Sequence, residues 1–319
     1  MISSVAAPML ATFILTVITG PVFIPFLRRL KFGQTVRDEG PESHKKKTGT
    51  PTMGGIMFMF AIIIVSLLYV KQYPCIVPVL ILSVGFGMVG FLDDFIKVVL
   101  KRSMGLRAWQ KMALQVAITA FFANYVTNEL HMNLAMKIPF MEGKYLDLGF
   151  FNIPLLFLIV IGTDTGTNFT DGIDGLCSSV TIAIAGFFTI AAVMLGSEVA
   201  PISLCFAGGL MGFLVFNAYP AKVFMGDTGA LALGGYVAAV AYIMQAQLFL
   251  LIIGVVYVWE VLSVILQVSF YKLTKGKRIF KMTPIHHHFE LSGWSETKVV
   301  AVFTIVTVIC CAIGLDGIW

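Results

Sequence analysis

Polar residues are sparse along this chain, and they separate long apolar runs that lack the two-residue alternation of a strand. Such runs lie near 5–27, 53–70, 75–92, 109–127, 150–162, 176–195, 199–218, 228–245, 248–271 and 299–316. A helix that crosses a bilayer needs about 20 apolar residues at about 1.5 Å each. Only helices and closed barrels satisfy their backbone groups in lipid. The pattern predicts an all-α, polytopic integral membrane protein with about ten transmembrane helices, forming a single catalytic domain over 1–319. The stretch 228–271 carries one charge, Glu260, and is too long for one crossing, so it divides at Gln245–Gln247. The run 150–162 reaches only about 20 Å against a hydrocarbon core of about 30 Å. It either starts earlier or stops inside the membrane. The segment 128–149, with Pro139, Gly143 and short alternating runs, predicts a small hairpin.

Composition strengthens this picture. Of 319 residues, 58% are hydrophobic and 12% charged, where a soluble domain has about 45–50% and about 25%. Intrinsic disorder, a disulfide scaffold and a water-soluble globule are excluded. Cys75, Cys177, Cys205, Cys310 and Cys311 lie in or beside apolar runs without metal spacing, as buried small residues do. The first run has no basic residue before it and is followed by Arg28, Arg29 and Lys31. It reads as a retained helix that starts outside and ends in the cytoplasm.

Ten crossings place both termini on one side. With that side outside, all 22 basic residues except Lys71, Lys137 and Lys144 face the cytoplasm, as the positive-inside rule asks. The inner segments are then 28–52, 93–108, 163–175, 217–229 and 272–298. The acids are more informative, because orientation does not call for them there. Asp38, Glu39, Glu42, Asp93, Asp94, Asp164, Asp171, Asp174, Asp227, Glu290 and Glu296 gather on the same face, while Glu260 is intramembrane. A carboxylate against a helix end at the membrane is costly unless paired or bound to a cation.

Five blocks carry candidate chemistry. Asp93 and Asp94 end an apolar helix, with Lys97 and Lys101 at one-turn intervals beyond. Neighbouring residues on a helix point about 100° apart, so the two acids can serve one site differently, or form a solvated helix end. Gly162–Gly175 holds four glycines, four threonines, Asn168, Asp164, Asp171 and Asp174, which reads as a tight loop rich in oxygen ligands, with Asp174 able to cap the next helix. Asn217–Gly229 ends in Gly226-Asp227-Thr228-Gly229, where Asp227 is an N-cap or a ligand for a hard metal. Lys281–Glu290 holds His286, His287 and His288 in a basic loop, suited to a polyphosphate more than to zinc. His44–Gly55, with Lys46 and Thr50, is a basic glycine-bearing loop before a helix start, a favourable place for anions. Together they suggest Mg²⁺ and phosphates at the mouth of a helix bundle, where phosphoryl transfer works by positioning and charge neutralisation.

These blocks, in this order and over essentially the whole chain, resemble the phospho-N-acetylmuramoyl-pentapeptide transferase family, within the polyprenyl-phosphate N-acetylhexosamine-1-phosphate transferases. Pro284-Ile285-His286-His287-His288-Phe289-Glu290 is the most specific block. The resemblance implies transfer of phospho-MurNAc-pentapeptide from UDP to undecaprenyl phosphate, giving lipid I and UMP. It also implies Mg²⁺, a site facing the cytoplasm in the bacterial cytoplasmic membrane, a ten-helix homodimer and inhibition by nucleoside antibiotics, with no nucleic-acid partner. Carried onto this chain, Asp227 is the Mg²⁺ ligand, and Asp93 or Asp94 serves the acceptor phosphate. Asn168, Asp171, Asp174, Asn217 and Phe224 bind the nucleotide end, with Phe224 stacking on uracil and Asp174 accepting its N–H. Lys46, Lys97 and Lys101 contact phosphates, with Thr50 nearby. His286, the histidine assigned to catalysis, acts with His287 and His288 at the diphosphate or sugar. The lipid lies near the bent or Glu260-bearing ninth helix. A phosphate monoester is mostly dianionic at pH 7, its second pKa being about 6, so direct attack with Asp93 positioning the acceptor is expected rather than a phospho-enzyme. Two other readings are a sister enzyme transferring GlcNAc-1-phosphate and an ion-coupled membrane transporter. The latter predicts midplane acids and paired repeats; only Glu260 is intramembrane and no repeat is evident.

Overall fold

The computed structural model describes residues 6–29, 49–98 and 105–318. It is almost wholly helical: α1 (Ala7–Arg29), α2 (Gly55–Leu67), α3 (Ile76–Val98), α4 (Ala108–Asn124), α5 (Asn152–Thr170), α6 (Leu176–Leu195), α7 (Ala200–Asn217), α8 (Gly226–Ile243), α9 (Leu250–Ile253), α10 (Val255–Leu273), α11 (Ile285–Glu290) and α12 (Glu296–Asp316). Each of the ten predicted runs contains a helix. Among the described residues, seven helices are long and apolar enough to cross a membrane: α1, α3, α5 with its preceding turn, α6, α7, α10 and α12. The chain is a multi-pass membrane protein. The long run divides after Ile243, near Gln245–Gln247 as its length demands, and again at Gly254, which bends the ninth segment into α9 and α10. The segment 128–149 forms a two-stranded antiparallel hairpin, β1 (Met136–Lys137) with β2 (Tyr145–Leu146).

Two expected loops are helical instead. The fifth run does not stop at 162: α5 continues through Gly162-Thr163-Asp164-Thr165-Gly166-Thr167-Asn168 to Thr170. Its threonines return their hydroxyls to the helix, Thr165 to Ile161 O at 2.8 Å, Thr167 to Asp164 O at 2.9 Å and Thr170 to Gly166 O at 2.7 Å. The polar run thus needs no loop or outside partner for these groups. Only Asp171–Gly175 remains as the connection. The histidines likewise sit on a one-turn helix, α11, whose Pro284 precedes the first helical residue.

The bundle is built around α8, which is buried along nearly its whole length. Its main partner is α3, followed by α5, α2 and α6. Small residues bring the backbones together, as is common where lipid offers no hydrophobic drive. A Cβ on Gly90 would lie 2.1 Å from Asp227 O, one on Gly55 2.3 Å from Gly229 N, and one on Gly234 2.4 Å from the Asp164 Cα. Ser83 Oγ adds a hydrogen bond to Ala232 O at 2.8 Å across α3 and α8. These contacts fix the end of α3 and the start of α8 against each other.

Candidate active site

The start of α8 is held from both sides. On one side the chain before α2 lies along the 223–225 strip: Phe224 N donates to Pro51 O at 2.8 Å, Gly54 N to Phe224 O at 2.8 Å, and Gly55 N to Met225 O at 2.9 Å. Gly226 has φ +73°, a left-handed turn that favours glycine. On the other side Asp94 reaches across from α3. Its Oδ2 accepts from Thr228 N at 2.9 Å and Thr228 Oγ1 at 2.7 Å, and its Oδ1 from Asp227 N at 3.3 Å. The Asp94 carboxylate therefore caps α8 from another helix, using the donors an N-terminus leaves open. Asp227 is not the N-cap; Met225 occupies that position without a side-chain cap.

Released from capping, the Asp227 side chain enters a charge cluster. Its Oδ2 receives both Lys97 Nζ and Lys111 Nζ at 3.1 Å, and its Oδ1 lies 3.5 Å from Asn168 Nδ2. Asp93 joins it through Lys97, whose Nζ is 2.5 Å from Asp93 Oδ2 and 3.1 Å from Asp227 Oδ2, and Leu106 N donates to Asp93 Oδ1 at 2.6 Å. Asp93 and Asp94 are both buried, 3% and 4% exposed, which rules out a solvated helix end. Asp171 completes the cluster beside the Gly226 backbone. Desolvation pushes its carboxyl well above the usual range, and the nearby charges of Asp227 and Asp94 push in the same direction.

The remaining candidates fall into three groups. Asn217 donates to Val223 O at 3.0 Å and accepts from Ser178 Oγ at 3.2 Å, while Asp174 accepts from Ala221 N at 2.9 Å. Both tie down the strip that carries Phe224, which is itself half-buried. Asp174 does not cap α6, whose N-cap is Gly175. Thr50 adjoins the Pro51 end of the same strip. His286 and His287 pack ring against ring, centroids 4.1 Å apart, but each of the three histidines takes a different polar partner. His286, fully buried, has Nδ1 3.1 Å from Glu260 Oε2 and its Nε2 pressed on Gly172. It is not in an open phosphate-facing loop, because the one-turn helix turns it into the bundle. His287 Nδ1 is 2.7 Å from Glu290 Oε2, and His288 Nδ1 accepts from Lys281 N at 3.1 Å. Lys46 and Lys101 lie outside the described residues.

The pattern did not single out Lys111 or the Asp164–Gln115 contact. Lys111 is the only charge in α4, a signal open to sequence reading. The other partner, Gln115, is a neutral residue inside an apolar run, and nothing local marks it.

The donor set suits a hard cation. Asp93 and Asp227 share Lys97, and two carboxylates brought together need such a positive partner. The buried Thr52 Oγ1, near Gly226, has no partner among the described residues. Among those residues no three His, Cys, Asp or Glu side chains form a ready-made metal cage. Mg²⁺ typically binds through one or two carboxylates plus substrate phosphates, and Asp227 and Asp93, which share Lys97, are the carboxylates available here.

Comparison with known proteins gives the family. Residues 76–245, from α3 to the end of α8, match the family model described as glycosyl transferase family 4. A phospho-N-acetylmuramoyl-pentapeptide-transferase of Acetivibrio thermocellus is 50% identical over 307 residues, covering 95% of this chain and 92% of that protein. Proteins of the same name from Clostridium kluyveri and Clostridium botulinum are each 48% identical, covering 96% and 98% of this chain and 96% and 95% of their own lengths. With identity at that level across both chains, and with the acid–lysine cluster lying inside the matched region, the chain belongs to the phospho-N-acetylmuramoyl-pentapeptide transferase family.

Proposed function

We propose that this protein transfers phospho-MurNAc-pentapeptide from UDP-MurNAc-pentapeptide to undecaprenyl phosphate at the cytoplasmic face of the bacterial cytoplasmic membrane. The names of its relatives support the substrates, and the placing of the basic residues supports the face. An oxygen of the acceptor phosphate attacks the phosphorus that bears the sugar. The bond from that phosphorus to the bridging oxygen breaks, and UMP leaves with the electron pair. The observation that carries this reading is the single Asp227 oxygen bonded by two lysines, one of which, Lys97, also pairs with Asp93.

Asp227 and Asp93 would hold Mg²⁺. Once bound, it would neutralise diphosphate charge and stabilise the transition state. Lys97 and Lys111 supply the protein's own positive charge, so that two anions can approach. Asp93 positions the acceptor and removes no proton of consequence, since a phosphate monoester is mostly dianionic at pH 7. Asp94 supports the start of α8 rather than touching substrate.

Purified protein given undecaprenyl phosphate, Mg²⁺ and UDP-MurNAc-pentapeptide should release UMP, and UDP-GlcNAc should not replace the donor. Release from UDP-GlcNAc alone would move the protein to the sister activity. A stable radiolabelled phospho-enzyme formed from the donor without lipid would refute direct attack. A second prediction concerns Asp174, which holds the Phe224 strip. Asp174→Ala should weaken donor binding about tenfold, as loss of a charged hydrogen bond at a binding site does, and leave lipid binding little changed. Equal losses for both substrates would argue against a nucleotide role for this strip.

A further inference from the structure

Asp164 has no part in the reading above, yet it is fully buried in the middle of α5. Its Oδ2 accepts from Gln115 Nε2 of α4. Its Oδ1 has no hydrogen-bond partner among the described residues and faces the close approach of Gly234 on α8. A buried carboxylate oxygen left unpaired is expensive.

Helical spacing places this acid. Gln115 is one turn beyond Lys111 on α4, and Asp164 is one turn before Asn168 on α5. Lys111 and Asn168 meet at Asp227. The two helices therefore carry two rungs about 5.4 Å apart: Lys111–Asp227–Asn168 at the site and Gln115–Asp164 beneath it.

The lysines share one problem. Both occupy Asp227 Oδ2, so a divalent cation there must displace them. Lys97 has a second acceptor in Asp93, 2.5 Å away. We propose that Asp164 is the matching second acceptor for Lys111: when a divalent cation takes Asp227, the Lys111 ammonium withdraws one rung, onto the unpaired Asp164 Oδ1. Asp164 is thus a positioning residue that acts through Lys111. The inference rests on the reading of Asp227 as the cation's ligand.

Mn²⁺ binding to the purified protein, followed by electron paramagnetic resonance without substrates, tests it. Asp227→Asn should abolish the site. Asp164→Asn should weaken it about tenfold, as loss of an outer-shell partner does. In a Lys111→Met background, Asp164→Asn should have no further effect, because no ammonium then needs a berth. Asp164→Ser is carried in parallel, so that one folded variant suffices, with thermal unfolding recorded on each. Wild-type affinity in the folded Asp164 variants would overturn the proposal, as would an undiminished loss in the Lys111→Met background. Mn²⁺ binding that survives Asp227→Asn would instead overturn the metal reading of Asp227, and the proposal with it.

Discussion

Asp227→Asn should lower turnover by at least 10²–10³-fold, roughly the loss seen on removing one preorganised charge-stabilising group, in a protein that still folds. The side chain is nearly isosteric, so what changes is charge. Lys97 and Lys111, which now share one carboxylate oxygen at 3.1 Å, would face a neutral amide. The start of α8 should survive, because it is held by Asp94 and by the Pro51–Gly55 strip rather than by the Asp227 side chain. UMP release and thermal unfolding on the same preparation check both halves. Near-normal turnover would remove Asp227 from the chemistry.

Asp94→Ala should behave differently, losing stability and activity together. Three donors lose their acceptor: Asp227 N, Thr228 N and Thr228 Oγ1. The site is buried, so water cannot readily replace it. Unsatisfied buried donors cost about 1–3 kcal/mol each, and with partial relaxation the total should be about 3 kcal/mol. A lowered unfolding temperature, with turnover lost in proportion to the displaced α8 start, is the expected result. An Asp94→Ala protein that melts like wild type would show that the cap contributes little, and an acceptor-phosphate role for Asp94 would regain its place.

The contrast between Asp227 and Asp94, neighbours only in the fold, shows what a sequence can and cannot express. The ten apolar runs, the division near Gln245 and the hairpin at 128–149 follow from length and local composition, and each was legible. Asp93, Asp94 and Asp227 stood out as candidates because charge is so scarce here, and the fold brings them together. Their separate duties were not legible, since they depend on α3 crossing α8 at Gly90, a contact between residues 137 positions apart in the chain. The 162–170 run misled for a local reason. Glycine, threonine and aspartate favour turns in water, but here the threonine hydroxyls bond back to the helix and the glycines let neighbouring helices approach. The histidines were legible as a block, but their separate partners were not: that of His286 is Glu260, an acid on α10 and 26 residues away.

The close approach of α3, α2 and α8 has a mechanical consequence. At Gly90 and Gly55 backbone meets backbone, with no side chain between to change rotamer and absorb a displacement. Packed interiors of this kind resist deformation. This half of the site therefore acts as a stiff jaw, on which Asp93, Asp94 and Asp227 keep their spacing whatever is bound. The opposing half is joined by longer side chains, through Glu260 and His286, on a segment already broken at Gly254. Any displacement that accompanies substrate binding is therefore expected in that compliant part rather than among the three acids.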